Sequence, residues 1–167
     1  LQLDGVLNDI FWRKIKEHEL KAHENGNKPV IPTTFRMAWS DAGHLCIAVK
    51  CSEPDPGNLE ITAMGRGDGS IWYGDCVEFL FETNRHSYYQ IAVNPAGGFV
   101  DVDREKGIQL LWSSGAEAAT HVGNDYWSME LRIPVHRRRE RAVNVVNGVV
   151  GRKPVVSRPW FFNLCRQ

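Results

Sequence analysis

No run of apolar residues in this sequence approaches the roughly 20 needed to cross a bilayer as a helix, which excludes a helical membrane span. Charge of one sign is not in excess either. Twenty Lys and Arg balance twenty Asp and Glu, a formal net charge of zero, so composition points to no nucleic acid and no anionic membrane as partner. Catalytic signatures are missing as well. There is no G-x-S-x-G, no H-E-x-x-H, and no Ser/His or Cys/His pair at a telling spacing. Gly65-Arg66-Gly67-Asp68-Gly69 does not leave a strand and enter a helix, so it is no dinucleotide fingerprint, and its Arg-Gly-Asp tripeptide alone carries little weight. The four cysteines, Cys46, Cys51, Cys76 and Cys165, contain no C-x-x-C pair, which argues against a zinc site or a thioredoxin-type motif. All sit inside strand patterns, so they are expected to be buried thiols acting as small hydrophobes, with one cross-strand disulfide left open. Cys46 and Cys51 fall on opposite faces of one predicted strand and are poor partners for each other.

Also absent are a convincing long helix, an internal repeat and a linker. A chain of 167 residues is long enough for one domain with a real core and short for two. Many alternating strands and no helix predict an all-β fold, an antiparallel β-sandwich of two sheets with a few short helical turns. The predicted strands are Thr33–Trp39 and His44–Cys51 around Ser40–Gly43, then Val77–Glu82 and Tyr88–Asn94 around a polar turn over 84–87. Gly98–Asp103, Tyr126–Ile133 ended by Pro134, and Trp160–Cys165 follow, with weaker strands at Gln109–Trp112 and Ala116–Val122. Val143 to Val150 predicts an extra hairpin across Asn147-Gly148. Trp12 is expected as a core plug. Asp101 and Asp103 share a face of a strand, expected to be solvated rather than an acid/base pair, because nothing forms a cleft between them. His136-Arg137-Arg138-Arg139-Glu140-Arg141 is the one dense basic run; it could hold phosphate, but it lacks the aromatics that single-stranded nucleic acid stacks on.

The most informative stretch is Ile71 to Glu82. Two aromatics and Gly74 end a loop, then Val77, Phe79 and Phe81 alternate with Cys76, Glu78, Leu80 and Glu82. The next strand pairs Tyr89, Ile91 and Val93 against Tyr88, Gln90, Ala92 and Asn94. One hairpin face is thus apolar and the other carries Glu78, Gln90 and Asn94. An indole beside a carboxylate and two amides suits a sugar: the ring stacks on pyranose C–H groups, and the polar groups fix hydroxyls. The candidate ligand-binding residues are Trp72, Tyr73, Glu78, Tyr88, Gln90 and Asn94, with Trp112 as a secondary stacking candidate. The long loop from Ser52 to Ser70 offers Glu53, Asp55 and Asp68, hard oxygen donors of the kind calcium takes, although no D-x-D-x-D-G loop is present.

These residues resemble carbohydrate-binding modules of family 9. Trp72, Asp75, Val77, Glu78 and Phe79, followed by Tyr88, Gln90, Val93, Asn94, Pro95 and Gly97, match the family's central hairpin. Leu3-Asp4-Gly5-Val6-Leu7-Asn8-Asp9-Ile10-Phe11-Trp12 looks like its opening. Ala38-Trp39-Ser40-Asp41 with Leu45–Val49, Trp127–Pro134, and Phe161–Arg166 are similar to its later motifs, in order from residue 3 to 166. The resemblance implies a β-sandwich that binds glucose- or xylose-type carbohydrate without chemistry of its own, with structural Ca2+. It implies a monomeric module of a larger extracellular or periplasmic protein, holding an attached or partner glycoside-degrading enzyme on its polysaccharide. The chain opens at Leu1 inside the first motif and stops at Gln167, before a stretch the family carries with a further Trp. The expectation is therefore an excised single domain, 1–167, lacking that stretch. Alternatives are a haem or redox relative, for which Met37, Met64 and His44 are the available ligands, a protein-interaction domain, or an enzyme.

Overall fold

The computed structural model describes residues 1–106, 112–137 and 147–167. Among the described residues, ten strands form two sheets: β1 (His18–Glu19), β2 (Thr33–Trp39), β3 (His44–Ser52), β4 (Val77–Thr83), β5 (His86–Val93), β6 (Phe99–Asp103), β7 (Glu117–Val122), β8 (Tyr126–His136), β9 (Val149–Val150) and β10 (Phe161–Arg166). The first sheet runs β1-β2-β3-β8-β7, with β9 parallel to the end of β8; the second runs β10-β4-β5-β6. The helical pieces among the described residues are short 3-10 turns. The architecture is the antiparallel sandwich that strand alternation predicts.

The alternating sets meet between the sheets. Leu45, Ile47, Val49 and Cys51 of β3 and Trp127, Met129, Leu131 and Ile133 of β8 face Val77, Phe79 and Phe81 of β4 and Tyr89, Ile91 and Val93 of β5. Burying one apolar side chain of this size contributes about 1.5–3 kcal/mol, which makes this interface the main stabilising term. Register follows from the turns. In β2–β3, Ser40 N–H donates to His44 O at 2.9 Å and Gly43 N–H to Ser40 O at 3.0 Å, with Gly43 at φ +82°, where a side chain would be strained.

Both outer faces are partly roofed. On the first sheet the N-terminal segment lies over Cys46 and Ala48, with Trp12 buried there as the sequence predicts. Glu130 is wholly buried and accepts from Trp12 Nε1 (2.7 Å) and from the backbone N–H groups of Asp4 and Gly5 (both 3.1 Å). On the second sheet the loop between β3 and β4 lays Ala63, Ile71 and half-buried Trp72 over Cys76, Ala92, Val100 and Val102.

That roof explains one departure. Asp101 and Asp103 are not solvated: with Val100 and Val102 under the loop, the alternate residues of β6 turn inward. Asp101 is held by Arg66 Nη1 (3.1 Å) and Ser114 Oγ (2.7 Å), and Asp103 by His86 Nε2 (2.7 Å). Both are structural carboxylates on β6, the edge strand of the second sheet among the described residues.

Other departures are local. The β4–β5 turn is Asn84-Arg85 rather than 84–87, because the ladder continues to Thr83 opposite His86. β8 continues past Pro134 because Val135 and His136 take a new parallel partner, Val149 and Val150. β9 holds the second half of the hairpin expected around Asn147-Gly148, and the first half lies outside the described residues. Residues 107–111, with most of the predicted Gln109–Trp112 strand, and 138–146, with Arg138–Arg141 and Val143–Val146, lie outside the described residues. The four thiols are free, with no disulfide, and Cys46 and Cys51 lie on opposite faces of β3.

Candidate functional site

The loop that roofs the second sheet ends in a 3-10 turn, Gly69–Tyr73, which carries Trp72. Its start is fixed by Asp68, whose carboxylate accepts from Ser70 N–H (3.0 Å) and Ser70 Oγ (2.7 Å). These bonds hold the Asp68 carboxyl below its ordinary range. Thr62 Oγ1 donates to Ser70 O at 2.7 Å, and Asp75 N–H to Glu60 O at 2.8 Å, so the loop is tied across its base. A side chain on Gly74 would strike the Glu60 carbonyl and Thr62 Oγ1, which is why glycine stands there.

Trp72 is thereby set at the rim of the second sheet's outer face. Its Nε1–H donates to Glu78 Oε2 at 3.1 Å. Gln90 Nε2 donates to the same oxygen, and Gln167 Nε2 donates to Glu78 Oε1 at 2.9 Å. Arg104 Nε donates to Gln90 Oε1 at 2.6 Å. The result is a continuous polar strip: Trp72, Glu78, Gln90, Arg104 and Gln167. Glu78 is 8 % exposed. A carboxylate offers about four acceptor sites, so three internal donors leave one for a ligand hydroxyl. Across the strands, Asn163, Leu80 and Gln90 form one row, with Asn163 exposed on the edge.

The predicted residues divide. Trp72, Glu78 and Gln90 are brought into direct contact. Tyr73 is 80 % exposed next to Trp72, and Tyr88, 38 % exposed, lies two residues from Gln90 on the same face. Two leave the face. Asn94 is 1 % exposed and bonded from inside: its Nδ2 donates to Ala63 O (2.8 Å) and its Oδ1 accepts from Gly98 N–H (2.7 Å) and Ala96 N–H (3.2 Å). It is the clamp between loop and turn, not a ligand group. Trp112 is 5 % exposed and stacks on Tyr89 in the core at 5.0 Å; a solvent-facing stacking role is excluded by that burial. Arg104 and Gln167 were not singled out in the sequence, since nothing local marks them.

The candidate calcium donors do not gather. Glu53 accepts from Arg166 Nη2 (2.9 Å), Asp55 caps its own turn through Gly57 N–H (3.3 Å) and Asn58 Nδ2 (2.8 Å), and Asp68 caps the Trp72 turn. Calcium needs six to eight converging oxygens, and this donor set does not fit it. Among the described residues, the His/Cys/Asp/Glu triple whose ligand atoms lie within 4.8 Å of one another is His86, Asp103 and Glu105. There the carboxylates lie against opposite ring nitrogens, at 2.7 and 2.9 Å, which is a ring held between two carboxylates rather than three ligands around a point. The haem alternative finds no axial pair: Met37 faces the core, His44 falls on the opposite face of the same sheet, and Met64 is 70 % exposed.

No family model and no curated protein matches the sequence. The fold does match solved structures. A family 9 carbohydrate-binding module from Caldicellulosiruptor kristjanssonii in complex with glucose superposes with a TM-score of 0.58 at 17 % identity over 80 % of this chain and 63 % of that one. The same source's module in complex with cellotriose gives 0.57 at 16 % identity, over 80 % and 62 %. A candidate carbohydrate-binding protein from Bacteroides uniformis gives 0.51 at 17 % identity, over 72 % and 60 %. The chain thus spans a little over three-fifths of the length of these structures. At such identities the likeness establishes the fold, a family-9-like sandwich.

Proposed function

We propose that the outer face of the second sheet binds neutral carbohydrate, of glucose or xylose type, and that the domain does no chemistry on it. The observation that carries this is the Trp72–Glu78 pair. The half-buried indole is fixed by its own N–H at the edge of a polar strip, and its solvent-facing part would meet pyranose C–H groups. Glu78 accepts from a hydroxyl, Gln90 and Arg104 donate, and Tyr73 and Tyr88 flank the site. Solved neighbours that hold glucose and cellotriose support the reading. In this account the domain belongs to a larger protein outside the cytoplasm and keeps an attached or partner glycoside-degrading enzyme on its polysaccharide.

Isothermal titration with glucose, cellotriose and xylotriose tests it. Saturable binding by the wild type and its loss in Glu78→Ala are expected. Undiminished binding by a folded Glu78→Ala protein contradicts it.

A further inference from the structure

A chain of zero net charge can still segregate its charges, and this one does so at the turn of the first hairpin. A groove of about 890 Å³ lies between the Trp39–Gly43 end of that hairpin and the segment Gly151–Lys153. Among the described residues, Arg137, Arg152 and Lys153 line it, against the single carboxylate of Asp41. All three cations are exposed, and among the described residues none is paired with a carboxylate. In sequence Arg137 stands more than a dozen residues before the adjacent Arg152 and Lys153; the fold brings it to their groove.

The framework beneath them is rigid. Parallel pairing of β9 with Val135 and His136 sets the Gly151 segment beside Arg137, and Gly151 N–H donates to His136 O at 2.9 Å. Asn84 then grips the Arg152 backbone at both ends, its Oδ1 accepting from Arg152 N–H (3.1 Å) and its Nδ2 donating to Arg152 O (3.2 Å). Trp160 Nε1 donates to the same carbonyl at 3.0 Å. The Asn84 and Trp160 bonds use only the backbone of Arg152, which leaves its guanidinium to the groove.

The chemistry selects an anion, and the aromatic geometry narrows its class. Trp39 is not an open stacking platform. Lys153 Nζ lies 6.0 Å over its ring and Trp160 meets it edge to face at 5.4 Å. A nucleic-acid strand needs open aromatic faces for its bases, whereas a carboxylated or sulfated sugar needs cations and hydrogen-bonding groups in a space of several hundred Å³. We infer that this groove is a second ligand site, distinct from the Trp72 face, that takes an acidic glycan segment through Arg137, Arg152 and Lys153.

The test uses labelled trigalacturonate on the 167-residue chain at low salt, where exposed charges are least screened. The variants are the double Arg152→Gln/Lys153→Gln and the single Trp72→Ala, each checked by circular dichroism. Cellotriose and a short oligothymidylate serve as parallel ligands. The expected result is saturable trigalacturonate binding, equal in wild type and Trp72→Ala, and weakened about tenfold or more in the double variant. Cellotriose reads the Trp72 face on the same samples, so failure of one site does not imitate failure of the other. No trigalacturonate binding, binding indifferent to the double variant, or loss of it in Trp72→Ala overturns the inference. Tighter binding of the oligothymidylate also overturns it, in favour of nucleic acid.

Discussion

Trp12 and Glu130, 118 positions apart, meet in a 2.7 Å hydrogen bond on the outer face of the first sheet. The buried carboxylate also holds Asp4 and Gly5, so one side chain fastens the whole N-terminal segment. Charge-assisted bonds contribute about 1.5–3 kcal/mol each, and removing the acceptor strands buried donors. Glu130→Ala is therefore expected to lower unfolding free energy by about 3 kcal/mol or more in urea titration. A loss below about 0.5 kcal/mol, the scale of ordinary surface substitutions, contradicts the fastening role.

Asn94 separates structure from recognition. Its three internal bonds join loop to turn. Asn94→Ala should cost about 2 kcal/mol or more of stability. Below its melting range, it should leave affinity for sugar within about twofold, a difference worth under half a kcal/mol. Stability and binding measured on the same preparation check this; binding lost from a fully folded sample returns Asn94 to the site.

Alkaline pH reads the buried thiols. Burial pushes Cys51 and Cys76 from an ordinary 9.0 to about 12, with the charges of Glu78 and Asp75 adding at Cys76 and Arg166 opposing at Cys51. An unfolded thiol ionises near 9 while the folded one stays neutral. Their stabilising contribution is therefore complete below pH 9 and is lost as pH rises towards 12. Urea midpoints should fall across that window, and less steeply in Cys76→Ala. An equal slope in the variant counts against the assignment.

Arg104, like Gln167, carries no local mark in the sequence. Its guanidinium reaches the site through Gln90 at 2.6 Å. Arg104→Gln is expected to weaken sugar binding about tenfold, the loss of about one charge-assisted bond, with little change in melting temperature. Calorimetric titration beside thermal melting checks both halves. A large fall in melting temperature with unchanged affinity makes Arg104 structural.

Much of the fold was legible because alternation is local. The core faces of β3, β4, β5 and β8 can be written from period two alone, and Trp72 and Glu78 are six residues apart across one turn. What escaped depends on distant segments. Gln167 reaches Glu78 only because β10 pairs with β4 in one register, and Arg104 reaches Gln90 across β6. Asp101 and Asp103 alternate with Val100 and Val102, and the pattern cannot tell which set faces inward until the loop covers the valines. Likewise a lone indole such as Trp112 does not announce that Tyr89 will stack on it.

The most direct measurement is tryptophan fluorescence during titration with cellotriose, in wild type and Trp72→Ala. The account predicts saturable quenching in the wild type and loss of affinity by about 30-fold or more in the variant, the scale of about 2 kcal/mol for a central aromatic contact. Saturable quenching that survives unchanged in a folded Trp72→Ala protein would contradict it, and so would a flat response from well-folded wild type.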